Sequence, residues 1–369
     1  MKKKTATLTK MRAPLLLAVL GITTAAASWS LLSSQRAFNL MGAMGAVVDA
    51  QTASSSPVKA AAPVLDTTDY DRRMLKLSGV SFASSTATST ASSTIKRLWP
   101  TKAPYPLPGA LLPFNRIVAY YGNLYSKQMG VLGQYPKAEM LSRLKDEVAK
   151  WEAADPDTPV IPALHYIAVT AQGSAGADGK YRFRMPDSEI DKVIAMAAEI
   201  HGIVFLDIQA AKSNAQTEVP LLDKYLKMPN VHLGIDPEFY MKKGGKPGEV
   251  VGSMDATDIN YAILHLTQLV DDNHLPPKIL VIHRFTENMV TNYQNIKPTP
   301  EVQVVIDMDG WGSQARKLNT YREYVYKQPV QFTGFKLFYK NDFREKGSRI
   351  MTPAEVLKIN PKPIYIQYQ

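Results

Sequence analysis

Eight short runs of β-branched and aromatic residues follow Arg116, and segments of helical period separate them. The runs are Ile117 to Tyr121, Val160 to Ile167, Ile203 to Gln209, Val231 to Asp236, Ile279 to His283, Val302 to Asp309, Phe332 to Phe338 and Ile364 to Gln367. Between them, Leu141, Leu144, Val148 and Trp151 recur at three- and four-residue spacing. So do Ile190, Val193, Ile194, Ala197 and Ile200, then Ile259, Ala262, Ile263, Leu266 and Val270, each set forming one apolar stripe on a helix. Gly202 follows the second stripe, and Thr352-Pro353-Ala354-Glu355 has the form of a capping box with proline at the first helical position. The fifth and seventh helices are weak. Strands alternating with helices imply parallel strands joined by crossovers. The span 116–369 has close to the roughly 250 residues typical of a (β/α)8 barrel, the expected fold. An open doubly wound sheet is the rival, but it needs fewer units, and no Gly-x-Gly-x-x-Gly follows the first strand.

Side-chain parity tests the barrel. Alternate residues of a barrel strand face the helices and are apolar; the others face the axis and become polar only toward the C-terminal mouth. In the third run Val204, Leu206 and Ile208 would point outward, leaving Asp207 and Gln209 inward. In the fourth, Val231, Leu233 and Ile235 go outward and His232, Gly234, Asp236 and Glu238 inward. The sixth sends Val304, Ile306 and Met308 outward and Asp307 and Asp309 inward. His165, His283, Lys336, Tyr365 and Gln367 occupy axial parity on the second, fifth, seventh and eighth runs. Polar groups are costly in a buried layer unless paired. Their convergence at the strand ends is therefore the strongest sign of a functional site.

The N-terminal third differs in character. Lys2, Lys3, Lys4, Lys10 and Arg12 precede an almost uncharged run from Ala13 to Leu32, the pattern of an export signal. The run is also long enough to span a bilayer, so residues 1–50 are expected to be a cleaved signal peptide, with small residues around Ala50, or an uncleaved membrane anchor. Residues 51–115 are rich in Ser, Thr, Ala and Pro and are expected to form a flexible linker. Its end, Leu98 to Phe114, carries Trp99, Leu107, Leu111 and Leu112 and could pack on the barrel as an arm. Half of the net charge of +10 lies in residues 1–50. The remainder, spread thinly, gives no basis for nucleic-acid binding. Cysteine is absent, which excludes disulfides, thiolate metal sites, a cysteine nucleophile and a lipobox.

The sharpest local motif is Leu233-Gly234-Ile235-Asp236-Pro237-Glu238-Phe239. Two acids at alternate positions at a strand end place both carboxyls on one side, so one can raise the other's proton affinity and keep it a general acid. These seven residues resemble the end of the fourth-strand signature of chitinase-like glycoside hydrolases of family 18. The resemblance implies Glu238 as proton donor and Asp236 as its tuning partner. Gly234 and His232 stand where that family has further aspartates, and Pro237 separates the acids, which tells against substrate-assisted chemistry. Asp207 and Asp307 are the candidates for base or nucleophile. Tyr121, His165, Gln209, His283, Asp309, Trp311, Lys336 and Gln367 are candidates for substrate contact. A structural ion network among the acids, Lys336 and Arg284 is the alternative. A second segment, Tyr120-Tyr121-Gly122-Asn123 with Met129-Gly130-Val131-Leu132-Gly133, resembles a signature of exported bacterial proteins and implies no particular activity.

Aromatics near the expected rim, namely Tyr120, Tyr121, Phe239, Tyr240, Trp311, Phe338 and Tyr339, suit the apolar faces of sugar rings. Two long loops, Ala171 to Pro186 and Met241 to Asp255, follow strands and would form lids or walls over the mouth. Gly244-Gly245-Lys246-Pro247-Gly248 lacks the Gly-Lys-Ser/Thr of a phosphate loop. His165, Asp207, Asp236, Glu238, His283 and Asp307 could instead gather zinc or manganese, although neither a His-x-His on the first strand nor a His-Glu-x-x-His helix is present. His201 and His265 lie on helical segments and fit surface or packing roles. The sequence thus predicts an exported glycoside-hydrolase-like barrel acting on polysaccharide or oligosaccharide by carboxylate chemistry, with no cofactor. A non-catalytic glycan- or protein-binding barrel and a metal-dependent hydrolase are the alternatives. A membrane would be a partner only through an uncleaved N-terminus.

Overall fold

A computed structural model describes residues 64–79 and 97–369. Its centre is a closed barrel of eight parallel strands: β1 (Arg116–Gly122), β2 (Val160–Ala171), β3 (Ile203–Ile208), β4 (Val231–Ile235), β5 (Lys278–Arg284), β6 (Val302–Met308), β7 (Phe332–Leu337) and β8 (Tyr365–Tyr368). Closure is explicit in the register, since Ile117 of β1 pairs with both Ile161 of β2 and Tyr365 of β8. An open doubly wound sheet is thereby excluded.

Burial follows the parity read from the sequence. Val204, Leu206, Ile208, Val231, Leu233, Ile235, Val304, Ile306 and Met308 belong to the apolar layer between sheet and helices. The axial residues Ala119, Ala163, Phe205, Val281, Val305, Phe332 and Tyr365 form a separate inner cluster. At roughly 25 cal/mol per Å² of apolar surface, two such layers supply the main driving force for closing the barrel.

The outer helices are uneven. After α1 (Thr67–Leu77), described below, come α2 (Lys137–Ala154), α3 (Asp187–Ala198) and α4 (Ala256–Asn273), which carry the three apolar stripes, and α5 (Gln314–Tyr321), which follows β6. Between β5 and β6 the helical structure is limited to the 3₁₀ turns Glu287–Met289 and Tyr293–Asn295, consistent with the weak fifth pattern. Before β8, Thr352 and Glu355 form the capping box, on the four-residue helix Pro353–Val356.

Within the span expected to be a flexible linker, α1 is an ordered helix. Its Tyr70, Met74 and Leu77 recur at helical spacing and join the inner cluster with Leu112, Ile279 and Phe332. The arm contributes too: Trp99 is buried and donates its indole N–H to the Tyr326 carbonyl at 2.9 Å. Leu112 exchanges backbone hydrogen bonds with the Gln303 amide at 3.1 and 2.6 Å. Helix and arm together pack against the N-terminal end of the barrel, opposite the end where the polar strand termini gather. The expected signal or anchor in residues 1–50 lies outside the described residues. No helix among the described residues is long and apolar enough to cross a membrane.

Candidate active site

The C-terminal ends of the strands surround a cavity of about 510 Å³. Seven of the sequence-predicted residues line it: Tyr121, Gln209, Asp236, Glu238, Asp309, Trp311 and Lys336. The other five, His165, Asp207, His283, Asp307 and Gln367, are fully buried and lie beneath that layer. The expectation that Asp207 or Asp307 reaches substrate is therefore corrected. Gln209 and Asp309 stand two residues further along the same strands, and it is they that reach the opening.

Strand β4 ends in a 3₁₀ turn, Pro237–Phe239, which positions Glu238. Proline sets the first φ of the turn, and Asp236 Oδ1 accepts the Glu238 backbone N–H at 3.0 Å. Burial pushes the Glu238 carboxyl up to about 7, and the charge of Asp309 adds to the rise, while Lys336 opposes it. Burial likewise raises Asp236 well above the carboxylate range. Asp309 moves the other way despite burial, because Lys336 lies 3.0 Å from its Oδ1 and His283 Nδ1 lies 3.1 Å from its Oδ2. One mouth thus holds a carboxyl that keeps its proton near neutrality and a carboxylate that does not, the division of labour acid–base catalysis requires.

Lys336 also stands 3.9 Å from the centroid of the Tyr121 ring, a cation–π contact in a desolvated setting. The Tyr121 hydroxyl donates to Asp207 Oδ2 at 2.9 Å and accepts from Gln209 Nε2 at 3.3 Å. Tyr121 therefore connects the cavity to the layer below. In that layer, Asp207 is held well below the carboxylate range: burial opposes ionisation, but the imidazoles of His283 and His165 outweigh it. Burial brings His165 down to about 4. Asp307 is pushed up to about 7 by burial and by the nearby charge of Asp309.

Phe239 and Phe338 face the cavity as expected, but Tyr120, Tyr240 and Tyr339 do not. Tyr240 is buried in the outer apolar layer, and Tyr120 and Tyr339 join hydroxyls at 3.1 Å on the helix side. Trp311 is 37% exposed, with the Arg316 and Arg344 guanidinium carbons 5.1 and 5.2 Å from its ring. Phe285, Thr286, Arg316 and Asn341 also line the cavity and escaped the sequence reading. They lie on loops or on α5, where no strand parity marks them.

Of the two long loops, the first is a pinned wall. Its strand Arg182–Arg184 pairs antiparallel with the end of β2. Arg182 Nε and Arg184 Nε donate to the buried Glu218 at 2.8 and 2.7 Å, and the Ser213 hydroxyl donates as well. The second, Met241 to Asp255, ends in the two-residue strand Met254–Asp255, which pairs parallel with Val290–Thr291.

No protein-family model matches the chain, and no curated protein matches it. Solved structures that it resembles include the Bacillus subtilis mannanase BCman, at 12% identity over 70% of this chain and 81% of that one, TM-score 0.35. The Bacillus subtilis mannanase man26 shows 13% identity over 69% and 80%, TM-score 0.35. GH26C from Muricauda sp. MAR_2010_75 shows 11% identity over 68% and 70%, TM-score 0.30.

Proposed function

We propose that the protein hydrolyses glycosidic bonds in a polysaccharide or oligosaccharide, with Glu238 as general acid. The observation that supports this is the pairing, in one cavity, of a Glu238 carboxyl raised to about 7 with an Asp309 carboxylate kept ionised by Lys336 and His283. Glu238 gives its proton to the leaving glycosidic oxygen as the bond to the anomeric carbon breaks. Asp309 either takes the proton of the water that attacks the anomeric carbon, or attacks that carbon itself to form a glycosyl ester that water, deprotonated by Glu238, then hydrolyses. Asp309 takes the part expected of Asp207 or Asp307, because those two are buried beneath the cavity floor. Trp311, Phe239 and Phe338 offer ring faces to the sugar, and Gln209 and Asn341 offer polar contacts for its hydroxyls.

Export belongs to the same proposal, resting on the basic and apolar pattern of residues 1–50. The test is a glycan panel with product analysis by mass spectrometry, run with wild type and Glu238→Gln. New reducing ends are expected from wild type, and a roughly 10²- to 10⁴-fold slower release from the variant. Equal rates from both proteins, or bound glycan recovered uncut from every saturable complex, would overturn the hydrolase reading.

A further inference from the structure

Beneath the cavity floor, three side chains from three strands aim one atom each at a common point. His165 Nε2 on β2 lies 3.4 Å from Asp207 Oδ1 on β3, and His283 Nε2 on β5 lies 3.6 Å from the same oxygen. The three atoms all lie within 4.8 Å of one another. Each is completely buried, and none has a hydrogen-bond partner. A buried polar atom without a partner costs about 1–3 kcal/mol, so three facing one another call for a common partner.

We propose that His165, Asp207 and His283 bind one divalent transition-metal ion of the zinc type. Tetrahedral zinc, with bonds of about 2.0–2.1 Å to nitrogen and oxygen, sets its ligands roughly 3.3–3.4 Å apart, near the separations observed. Two imidazoles and one carboxylate suit zinc or its cobalt(II) substitute better than a hard cation such as magnesium, which prefers all-oxygen shells. A water completes the fourth position.

The surroundings support the assignment independently. Gly234 is the β4 residue in register with Asp207. A Cβ there would lie 2.3 Å from His165 Nε2 and 2.5 Å from Asp207 Oδ1. Any side chain at 234 would fill the space between the ligand atoms, and glycine keeps it open. Each ligand side chain also has a polar neighbour on its far side. His283 Nδ1 faces Asp309 Oδ2 at 3.1 Å, the carboxylate–histidine pairing that fixes a metal-binding tautomer. His165 Nδ1 faces the Tyr365 hydroxyl at 2.6 Å, and Asp207 Oδ2 accepts the Tyr121 hydroxyl at 2.9 Å. Asp236 and Glu238, grouped with these residues in the sequence reading, line the cavity above and take no part. With all three ligands shut off from solvent, the ion fastens β2, β3 and β5 together under the site rather than meeting substrate.

The test uses the full chain, stripped with chelator and titrated with zinc(II) and cobalt(II) against a chromophoric competitor, with no glycan present. One equivalent per chain is expected, with a raised Tm and the visible d–d absorption of four-coordinate cobalt. Asp309→Asn, which leaves the ligands in place, is expected to weaken zinc about 10- to 100-fold. His165→Gln and Asp207→Asn are expected to weaken it further and to abolish the cobalt bands. Should those two variants fail to fold, anomalous diffraction from the wild-type zinc complex locates the ion. Absence of stoichiometric uptake by the folded chain, unchanged affinity in a folded ligand variant, or an ion located elsewhere would overturn the proposal. None of these readouts depends on glycan cleavage.

Discussion

Asp236 Oδ1 accepts the backbone N–H of Glu238 at 3.0 Å. The acid expected to tune Glu238 thus holds the turn that carries it, and Asp309 is the carboxylate that raises its proton affinity. Asparagine preserves a side-chain oxygen acceptor at this position and alanine does not. Asp236→Ala should cost roughly 1 kcal/mol, the usual loss for a side-chain cap, and should lower kcat by loosening the Glu238 backbone. Asp236→Asn should keep most of both. Urea unfolding and steady-state kinetics on the two variants decide the matter; indistinguishable behaviour would remove the capping role.

Activity should fall on the alkaline side of pH 7. Glu238 donates only while protonated, and burial, reinforced by Asp309, has raised its carboxyl to about 7. Lys336 opposes that rise, so Lys336→Met should move the alkaline limb of the kcat/KM profile upward, and Asp309→Asn should move it downward. For stability the sign is the same. A carboxyl raised in the folded state contributes stability that is complete below the usual 4.5 and is lost as pH rises through about 7. A profile whose alkaline limb stays fixed in both variants would separate Glu238 from that ionisation.

Parity made the barrel legible in the sequence because it is a one-dimensional signal. Val204, Leu206 and Ile208 alternate with Phe205, Asp207 and Gln209, and the structure places the two sets in different layers. Depth along the axis is another matter. Asp207 and Gln209 share a parity, yet one is sealed beneath the floor and the other lines the cavity. Which of them reaches the mouth depends on how each strand is staggered against its neighbours, and that is set by pairing between distant segments. Arg316 and Phe285 were invisible for a related reason, since loops and helices bring them to the rim with no repeating pattern. α1 was hidden by the low-complexity sequence around it, although Tyr70, Met74 and Leu77 do show helical spacing.

The wall beside the cavity should depend on Glu218. This carboxylate is fully buried and receives Arg182, Arg184 and the Ser213 hydroxyl. Those partners hold it below the carboxylate range although burial alone would raise it. Glu218→Ala strips the partner from two guanidinium groups. The cost should be about 3 kcal/mol, at the low end for a buried pair because Arg184 keeps some contact with water. A group with a lowered folded pKa contributes stability above its usual pKa and loses it as pH falls, so the variant should differ least from wild type in acid. Limited trypsin digestion should show faster cleavage at Lys180, Arg182 and Arg184. A cleavage pattern and acid-to-neutral stability difference equal to wild type would show that the wall is held by strand pairing alone.

Lys278 offers a test of the barrel itself, away from the site. It opens β5 fully buried, with its ammonium donating to the carbonyls of Met228 and Val231. Burial lowers its pKa from 10.5 to about 7, with no carboxylate among the described residues close enough to counter it. Between those values the unfolded chain binds a proton at this residue that the native chain largely does not, so stability should rise as pH climbs through the window. Below about 7 both states carry the proton, and the contribution becomes flat. Lys278→Met removes the titration while keeping an unbranched apolar stem. Guanidinium midpoints measured from pH 7 to 10 should therefore climb more steeply for wild type than for Lys278→Met, with the curves drawing closer on the alkaline side if the two carbonyls tolerate the loss of their donor. Parallel curves would mean that Lys278 stays charged in the folded barrel, satisfied by its carbonyl contacts in spite of burial.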